Sequence, residues 1–432
     1  MPPALPSQPM RIVDRLVPGL LRDVPDFRHL WTGQTISVFG DEINRIAIPL
    51  VAVLILGADA AEMGNLTAAG LLPHLLLSLM TGVWLDRVRH RRRLMIWADI
   101  GRAVLIASVP LAYVLGLLTI AQLYVVGFLV GALTVVFDVS WGTVFVAVVQ
   151  RDRFIEAQSL LHGSRSLAYV GGPSIGGLLV QILGAPLALA ADAISFLGSA
   201  AFLGRIRSPE PPVEAEEGSL RERLLAGLAF VFRDPIVRPV LLSAATINLF
   251  NLAFTALVIL YATTELGVSP GALGLALGSG AVGGLIGATI ASRVGRRIGL
   301  GPAYALGCLL FPLPLLLIPI ADPAMPMPLI LTLLFGSEFG AGFGVMILDI
   351  NVGAVLTARY PDHLRSRATG AFRFVNYGVR PVGAFVGGVL GTVLGVREAL
   401  LVTGIAAALG VLWLIGSQVL RLRDLPDVAV PG

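Results

Sequence analysis

The chain has 432 residues, of which 56% are hydrophobic and 13% are charged, and its mean hydropathy is +0.85. A soluble domain carries about a quarter charged residues, so this composition excludes a soluble globular protein. The net charge of +4 does not indicate nucleic-acid binding, because the chain has no lysine and its 31 arginines follow a membrane pattern rather than a basic face.

The N-terminal segment, residues 1–29, is polar and lacks the apolar core and A-x-A site of a cleaved signal peptide. Beyond it, apolar runs long enough to cross about 30 Å of hydrocarbon predict twelve transmembrane helices. The first six predicted spans are Leu30–Leu56, Asn65–Leu85, Leu94–Leu118, Leu123–Val149, Ala157–Leu183 and Pro186–Leu203. The second six are Val240–Thr264, Gly271–Ser292, Leu300–Ile320, Pro328–Thr357, Thr369–Leu394 and Ala399–Leu420.

The arginines are distributed unequally between the two sides of these spans. The termini and the loops on their side hold 25 of them, the opposite loops hold only Arg397, and five lie inside spans. Cytoplasmic loops carry an excess of arginine and lysine. The pattern therefore predicts a multi-pass protein of the cell membrane with both termini in the cytoplasm and an even number of spans.

The middle of the chain contains one extended polar segment. It begins RIRSPEPPVEAEEGSL and continues with LRERLLAGLAFVF, whose apolar spacing predicts an amphipathic helix that could lie along the membrane surface. The simpler interpretation is a linker with a short helix. The predicted organisation is thus a cytoplasmic segment (1–29), a six-helix bundle (30–203), a cytoplasmic linker (204–239), a second six-helix bundle (240–420) and a cytoplasmic tail (421–432).

Weak internal repeats relate the two bundles. The stretch DVSWGTV at Asp138 matches DINVGAV at Asp349 at an offset of 211 residues, and Arg165 and Arg373 each stand eight residues before a proline. Matches in the same order and at nearly constant offset predict two pseudo-symmetric halves of common ancestry.

Twelve spans in two sets of six, with a polar central loop, resemble the major facilitator superfamily. The loop GVWLDRVRHRRRL resembles that family's signature G-x-x-x-D-R-x-G-R-R, although Arg89 replaces the second glycine. The second-half copy, ASRVGRRIG, keeps the glycine but has Ser292 in place of the aspartate. The resemblance implies a cytoplasmic gate that locks against the opposite half; the alternative is that these arginines only hold loops inside. The gate residues would be Gly82, Asp86, Arg87, Arg91, Arg92, Arg293, Gly295 and Arg296.

Other stretches resemble the exporters of this superfamily. In span 5, AYVGGPSIGGLL is similar to a motif linked to antiporters, with Gly172, Pro173, Gly176 and Gly177; ordinary helix packing is the alternative. The stretches FRHLWTGQTISVFGDEI, ADIGRA and FRFVNYGVRPVGAFVGG are similar to the branch that contains macrolide-type efflux permeases and the enterobactin exporter. This resemblance implies export of amphiphilic molecules such as drugs, macrolides or siderophores.

Charged side chains inside the spans are the main functional signal. The first span must extend back to Leu30 to be long enough, which places Asp41 about 16 Å into it. A charge there costs about 2.5 kcal/mol or more. Asp41, Asn44 and Arg45 share one helix face at spacings i, i+3 and i+4. We therefore expect this face to meet a water-filled cavity or other polar groups.

Seven carboxylates but only five arginines lie inside the spans, so at least two carboxylates lack an arginine partner. Burial disfavours the charged form of a carboxyl group, which favours proton binding. Asp41 and Glu42 either bind a proton or substrate or form a structural pair with Arg45. Asp138 and Asp349 are either functional or receive Arg165 and Arg373. The predicted substrate- or proton-binding residues are Asp41, Glu42, Arg45, Asp138, Glu338, Asp349 and Arg380.

Two further acids have structural interpretations. Asp99 and Arg102 are predicted to form a local ion pair that braces the basic loop, and Asp192 is predicted to be a hydrogen-bonded structural acid. Cys308 is the single cysteine, and the five histidines have no metal-ligand spacing. No phosphate loop or catalytic motif is recognisable, so neither an enzyme, a cofactor nor a metal is predicted.

The fold prediction is therefore an all-α integral membrane protein with twelve transmembrane helices in two pseudo-symmetric six-helix bundles. The functional prediction is a secondary transporter, a functional monomer in the lipid bilayer, that exports a small molecule in exchange for protons. The alternatives are a proton-coupled importer or uniporter of the same fold, or a non-transporting receptor or lipid-handling protein.

Overall fold

The computed structural model describes residues 18–85, 88, 90–210 and 220–425. In these residues the chain forms helices and connecting turns, with twelve helical segments long enough to cross a membrane, of which ten are also apolar enough to do so. The first six are α1 (Pro25–Leu54), α2 (Ala60–Leu85), α3 (Arg91–Val114), α4 (Ile120–Val148), α5 (Phe154–Leu183) and α6 (Ala185–Gly204). The second six are α7 (Val237–Leu260), α8 (Pro270–Ile298), α9 (Leu300–Leu310, then Pro312–Leu315 and Leu317–Ile320), α10 (Met327–Arg359), α11 (Arg365–Leu394) and α12 (Val396–Ala408, then Leu409–Leu414).

The predicted helices are confirmed, with ends that differ by a few residues. The helix α1 begins at Pro25 rather than Leu30, because proline is well tolerated at the first helical position. Three prolines, Pro312, Pro314 and Pro319, interrupt α9, since a proline cannot donate the backbone hydrogen bond that a helix interior needs.

The linker contains the predicted helix, Leu220–Arg233, which we call the linker helix. It packs against the first turns of α11: a Cβ added at Gly227 would lie 2.3 Å from the carbonyl oxygen of Arg367. The linker helix is therefore attached to the second half of the protein.

We call the side on which the described chain begins and ends the arginine-rich side. On the other side, the two halves share a single hydrophobic core that includes Leu50 and Met63 from the first half and Phe254 and Leu257 from the second. On the arginine-rich side the core divides in two. One cluster belongs only to the second half and the linker helix, and the other only to the first half. The halves thus meet on the side opposite the arginines and diverge towards the arginine-rich side.

Glycines bring the backbones of the two halves together on the closed side. A Cβ on Gly64 of α2 would lie 2.6 Å from the Cα of Gly388 on α11. A Cβ on Gly177 of α5 would lie 2.9 Å from the Cα of Gly274 on α8. The side chain of Gln181 also accepts a hydrogen bond of 3.0 Å from the backbone N–H of Gly271. These contacts form a seam between α2 and α11 and between α5 and α8.

The arginine-rich ends of the helices that flank the division are open. A Cβ added to Gly142, Gly163, Gly353 or Gly370, one on each of α4, α5, α10 and α11, would meet no atom within 4 Å. The cleft between the two halves therefore opens towards the arginine-rich side and ends at the glycine seam.

Candidate functional site

The two neighbouring acids in the middle of α1, Asp41 and Glu42, lie on different faces of the helix. Glu42 is buried, and its carboxylate forms an ion pair of 2.8 Å with Arg45, whose side chain is 59% exposed. Asp41 is exposed, because it is the residue before Glu42 and successive residues of a helix point about 100° apart. The structural partner of Arg45 is thus Glu42 and not Asp41. An exposed carboxylate at this depth must face the wet cleft, since facing lipid is costly.

The glycines of span 5 lie at helix contacts. A Cβ on Gly172 would lie 2.4 Å from the Cβ of Glu42, and one on Gly176 would lie 3.0 Å from the Cα of Ile43. Gly177 faces the other half at the seam described above, and the carbonyl oxygen of Pro173 would lie 2.3 Å from a Cβ on Gly274. This stretch therefore packs α5 against α1 on one face and against α8 on the other.

Behind Asp41, a buried polar cluster lies between α1, α3 and α6. Arg102 pairs with Asp99, and its guanidinium lies 4.6 Å from the ring centre of Phe137 and 4.3 Å from that of Phe196. Asp99 and Arg102 are no more than 2% exposed. The predicted ion pair is confirmed, and it is enclosed by aromatic rings inside the first bundle. Its bracing of the basic loop stays a prediction, because residues 86, 87 and 89 lie outside the described part of the chain.

Asp192 belongs to the same cluster. It is fully buried and accepts a hydrogen bond of 3.3 Å from Ser195, while its Oδ2 atom has no hydrogen-bond partner in the described residues. A Cβ on Gly40 would lie 2.5 Å from its Oδ1 atom. Glycine at this position of α1 therefore lets the carboxylate of Asp192 lie close behind Asp41.

Replacing Arg102 by Gln is expected to destabilise the protein by about 3–5 kcal/mol, because Asp99 would remain as an uncompensated buried charge. The measurement is the melting temperature of the purified protein in detergent. The double variant Arg102→Gln with Asp99→Asn serves as the control, since it removes both charges and should recover much of the loss. An unchanged melting temperature in the single variant would contradict this assignment.

In the second half, Glu338 is half-buried near the middle of α10, against Gly280 of α8. Its charged neighbour is Arg45 from the first half. Asp349 is exposed, and the arginine within its electrostatic range is Arg380. Glu338 of the second half and Arg45 of the first half therefore attract each other electrostatically across the cleft.

Asp138 of α4 is also exposed, as are Arg165 and Arg373. Within the residues that the structure describes, no ion pair joins Asp138 to Arg165 or Asp349 to Arg373. The structure therefore shows no direct contact for either pair, and Arg165 acts on Asp138 only at longer range, so the structural alternative stays a prediction.

Most of the carboxylates inside the spans have no arginine in ion-pair contact. Only Glu42 and Asp99, of the seven carboxylates in the spans, pair with an arginine within 4.0 Å in the described part of the chain. The remaining five are Asp41, Asp138, Asp192, Glu338 and Asp349. Carboxyl groups at membrane depth that have no arginine in ion-pair contact, three of them exposed, are suited to taking up and releasing protons.

The predicted gate is described only in part. Asp86 and Arg87 lie outside the described residues, and Gly82 is in the last turns of α2. The backbone N–H groups of Arg91 and Arg92 donate to the carboxylate of Glu210 at 2.6 and 3.2 Å. Glu210 lies at the start of the linker, so a linker acid satisfies the free N–H groups at the beginning of α3.

The second copy of the gate motif faces its own half. A Cβ on Gly295 would lie 2.4 Å from the side-chain oxygen of Asn351 on α10, and Arg293 donates to the carbonyl oxygen of Thr289 one turn earlier. Arg296 is exposed in the last turn of α8. In this open arrangement these residues make no ion pair with the first half among the described residues.

Several polar residues of the cleft were missed by sequence reasoning. Asn248 of α7 accepts from Arg380 and donates to Asn376, and His74 of α2 is within electrostatic range of Asp138 and Arg380. Their depth inside apolar runs was the available signal, but neutral amides and a lone histidine do not stand out as charges do. No group of three or more potential metal ligands lies together in the described chain.

Comparison with known proteins relates the chain to transporters. The model of the family described as "transmembrane secretion effector" matches residues 21–428. The chain is 27% identical over 413 residues to the multidrug efflux pump Tap of Mycolicibacterium fortuitum, covering 91% of this chain and 95% of that one. It is also 27% identical over 237 residues to an MFS-type transporter, YfiS, of Bacillus subtilis (strain 168), covering 53% and 54% of the two chains.

Solved structures share the fold. A bacterial homologue of the iron transporter ferroportin in its inward-facing state matches with a TM-score of 0.72 and 18% identity, covering 92% of this chain and 99% of that one. The nucleoside transporter NupG matches with a TM-score of 0.71 and 13% identity, covering 90% and 97%. At these identities the likeness concerns the fold alone.

Proposed function

Because the chain belongs to the transmembrane secretion effector family of the major facilitator superfamily, we propose that this membrane transporter exports amphiphilic small molecules in exchange for protons. The observation that carries the proposal is the set of carboxylates at membrane depth that have no arginine partner and lie in or beside a cleft closed at one end. A substrate cation and protons would compete for these groups, and such competition is what an exchange mechanism needs.

The direction of transport rests on two supports. The relative that aligns with most of the chain is named as a multidrug efflux pump, and the arginine distribution favours the arginine-rich side as cytoplasmic. With this orientation both termini are cytoplasmic, the chain is a multi-pass protein of the cell membrane, and the cleft takes up substrate from the cytoplasm. We propose that one polypeptide is sufficient for transport, since each half contributes to the same cleft.

Transport would proceed by rocking of the two halves. Breaking the glycine seam while the arginine-rich ends close would expose the cleft to the other side. Gly82, Asp86, Arg87, Arg91, Arg92, Arg293, Gly295 and Arg296 are proposed to hold the closed arginine-rich side. Asp41, Glu338 and Asp138 are proposed as the principal proton or substrate sites, with Glu42 and Arg45 as a supporting pair.

The proposal predicts lower accumulation of a fluorescent lipophilic cation, such as ethidium, in cells that express the protein. A protonophore should abolish the difference, because the gradient drives export. The control is a strain that makes the Asp41→Asn variant to the same level. Higher accumulation in expressing cells would favour the importer or a uniporter, and a lower accumulation that survives the protonophore would contradict proton-driven export.

A further inference from the structure

The guanidinium of Arg380 is held in place by neutral groups. It lies near the middle of α11, about 22 Å from the helix start, and it is half-buried. Its Nε atom donates a hydrogen bond of 2.9 Å to the side-chain oxygen of Asn248. The guanidinium also lies 4.1 Å from the ring centre of Tyr377. These contacts fix the orientation of the side chain without neutralising its charge.

A third residue supports this arrangement. The amide nitrogen of Asn248 donates to the side-chain oxygen of Asn376 at 3.0 Å and to the backbone oxygen of Ala244 at 3.1 Å. The amide of Asn248 is thereby oriented with its oxygen towards Arg380. A chain of hydrogen bonds from α7 to α11 therefore positions one edge of the guanidinium.

The other edge of Arg380 is free. In the described part of the chain no carboxylate lies within 4.0 Å of it, and Asp349 acts on it only at longer range. Its two Nη atoms make no hydrogen bond to the described residues and are not among the buried polar atoms that lack a partner, so they retain solvent-accessible surface. An arginine at membrane depth whose free N–H donors face a cleft can bind a carboxylate or another anion through two parallel hydrogen bonds.

An acidic group of the first half lies near the part of α2 that packs beside Arg380. A Cβ on Gly378 of α11 would lie 3.0 Å from the side chain of Leu75 on α2, and the neighbouring His74 is within electrostatic range of both Arg380 and Asp138. Asp138 is exposed and has no ion-pair contact within 4.0 Å among the described residues, and His74, Arg102 and Arg165 act on it only at longer range. The cleft thus presents a carboxylate on α4 and a guanidinium on α11, neither of which is in ion-pair contact.

We propose that Arg380 binds the carboxylate of a zwitterionic amphiphile whose cationic end faces Asp138. This inference rests on the proposed function, because it treats the cleft as the substrate site. It narrows the substrate class from cations to molecules that carry both a cationic group and a carboxylate. Asn248 and Tyr377 act as positioning residues for the guanidinium. Arg373, two turns away on the same face of α11, is exposed and lacks such supports.

The test uses two dyes that share one cationic ring system, rhodamine B and its ethyl ester, of which only rhodamine B carries a free carboxylate. Each is titrated with the purified protein in detergent, with fluorescence anisotropy as the readout. Rhodamine B is expected to bind about tenfold more tightly than the ester, a difference of about 1.4 kcal/mol. The Arg380→Gln variant should lose this preference and keep its affinity for the ester, which also reports that it is folded.

The matched control is Arg373→Gln, which should keep the preference of the wild type. The Asn248→Ala variant should reduce the preference without removing it, because the guanidinium loses its orientation but stays charged. Equal affinity for the two dyes in the wild type, persistence of the preference in Arg380→Gln, or no saturable binding of either dye would each overturn the proposal. Binding in detergent requires neither a gradient nor a direction, so failure of the export proposal would leave this result interpretable.

Discussion

Replacing Asp41 by Asn is expected to abolish substrate movement driven by a pH gradient while leaving exchange of substrate for substrate intact. Asp41 is exposed at membrane depth, has no arginine in ion-pair contact within the described chain, and lies in front of the buried Asp192. Asn keeps the size and polarity of the side chain but cannot bind and release a proton. We expect a loss of gradient-driven flux of about 10²-fold, as for removal of an essential acid–base group.

The measurement uses proteoliposomes, in which uptake driven by an imposed pH gradient is compared with counterflow at equal pH. Asp362→Asn provides the matched control, because Asp362 is an exposed loop carboxylate whose side chain is 94% accessible. Glu338→Gln is measured in parallel, since it tests the acid that faces Arg45 from the second half. Gradient-driven flux of wild-type size in both Asp41→Asn and Glu338→Gln would show that neither residue carries the proton.

Replacing Gly177 by Ala is expected to prevent closure of the seam and to reduce transport about tenfold or more. The new Cβ would lie 2.4 Å from the carbonyl oxygen of Pro270 and 2.9 Å from the Cα of Gly274, both of which belong to the backbone of the other half. The clash occurs only in the conformation in which the glycine seam is closed. A penalty of about 1.4 kcal/mol or more on one of two states shifts their ratio at least tenfold.

The control for this variant is Gly198→Ala, because a Cβ there would meet only a methyl group of Ile36 at 3.6 Å within the same half. The readout is transport together with the distance between spin labels at Gly163→Cys and Gly353→Cys. Cys308 is fully buried and should give little background labelling. The label distance should shorten in Gly177→Ala, and an unchanged distance with unchanged transport would show that the seam is not essential.

The helical architecture followed directly from the sequence, since a run of apolar residues long enough for the bilayer has few alternatives. The side-chain partners did not. Spacing allowed Arg45 to pair with Asp41 at i+4 or with Glu42 at i+3, and only the rotation of α1 against Gly172 of α5 decides for Glu42. Similarly, the i, i+3 spacing of Asp99 and Arg102 predicted the pair but not its aromatic surroundings, which come from α4 and α6.

Contacts between distant parts of the chain were beyond sequence reasoning. The bond from Asn248 to Arg380 joins residues 132 positions apart, and Glu210 reaches α3 from 119 positions away. Such pairs depend on how the helices of each half are arranged around one another. The acids that the sequence indicated do lie at membrane depth. The two amides that orient Arg380, those of Asn248 and Asn376, could be identified only from the structure.

The junction between α2 and α11 and between α5 and α8 is made of close backbone contacts between glycines and of apolar side chains, and the described residues contain no salt link across it. Electrolyte in the surrounding medium can therefore screen nothing there. Separating the halves gives up dispersion forces and a hydrogen bond to Gln181, with few rotamers to rearrange. The rate at which this seam opens is therefore expected to be nearly independent of ionic strength.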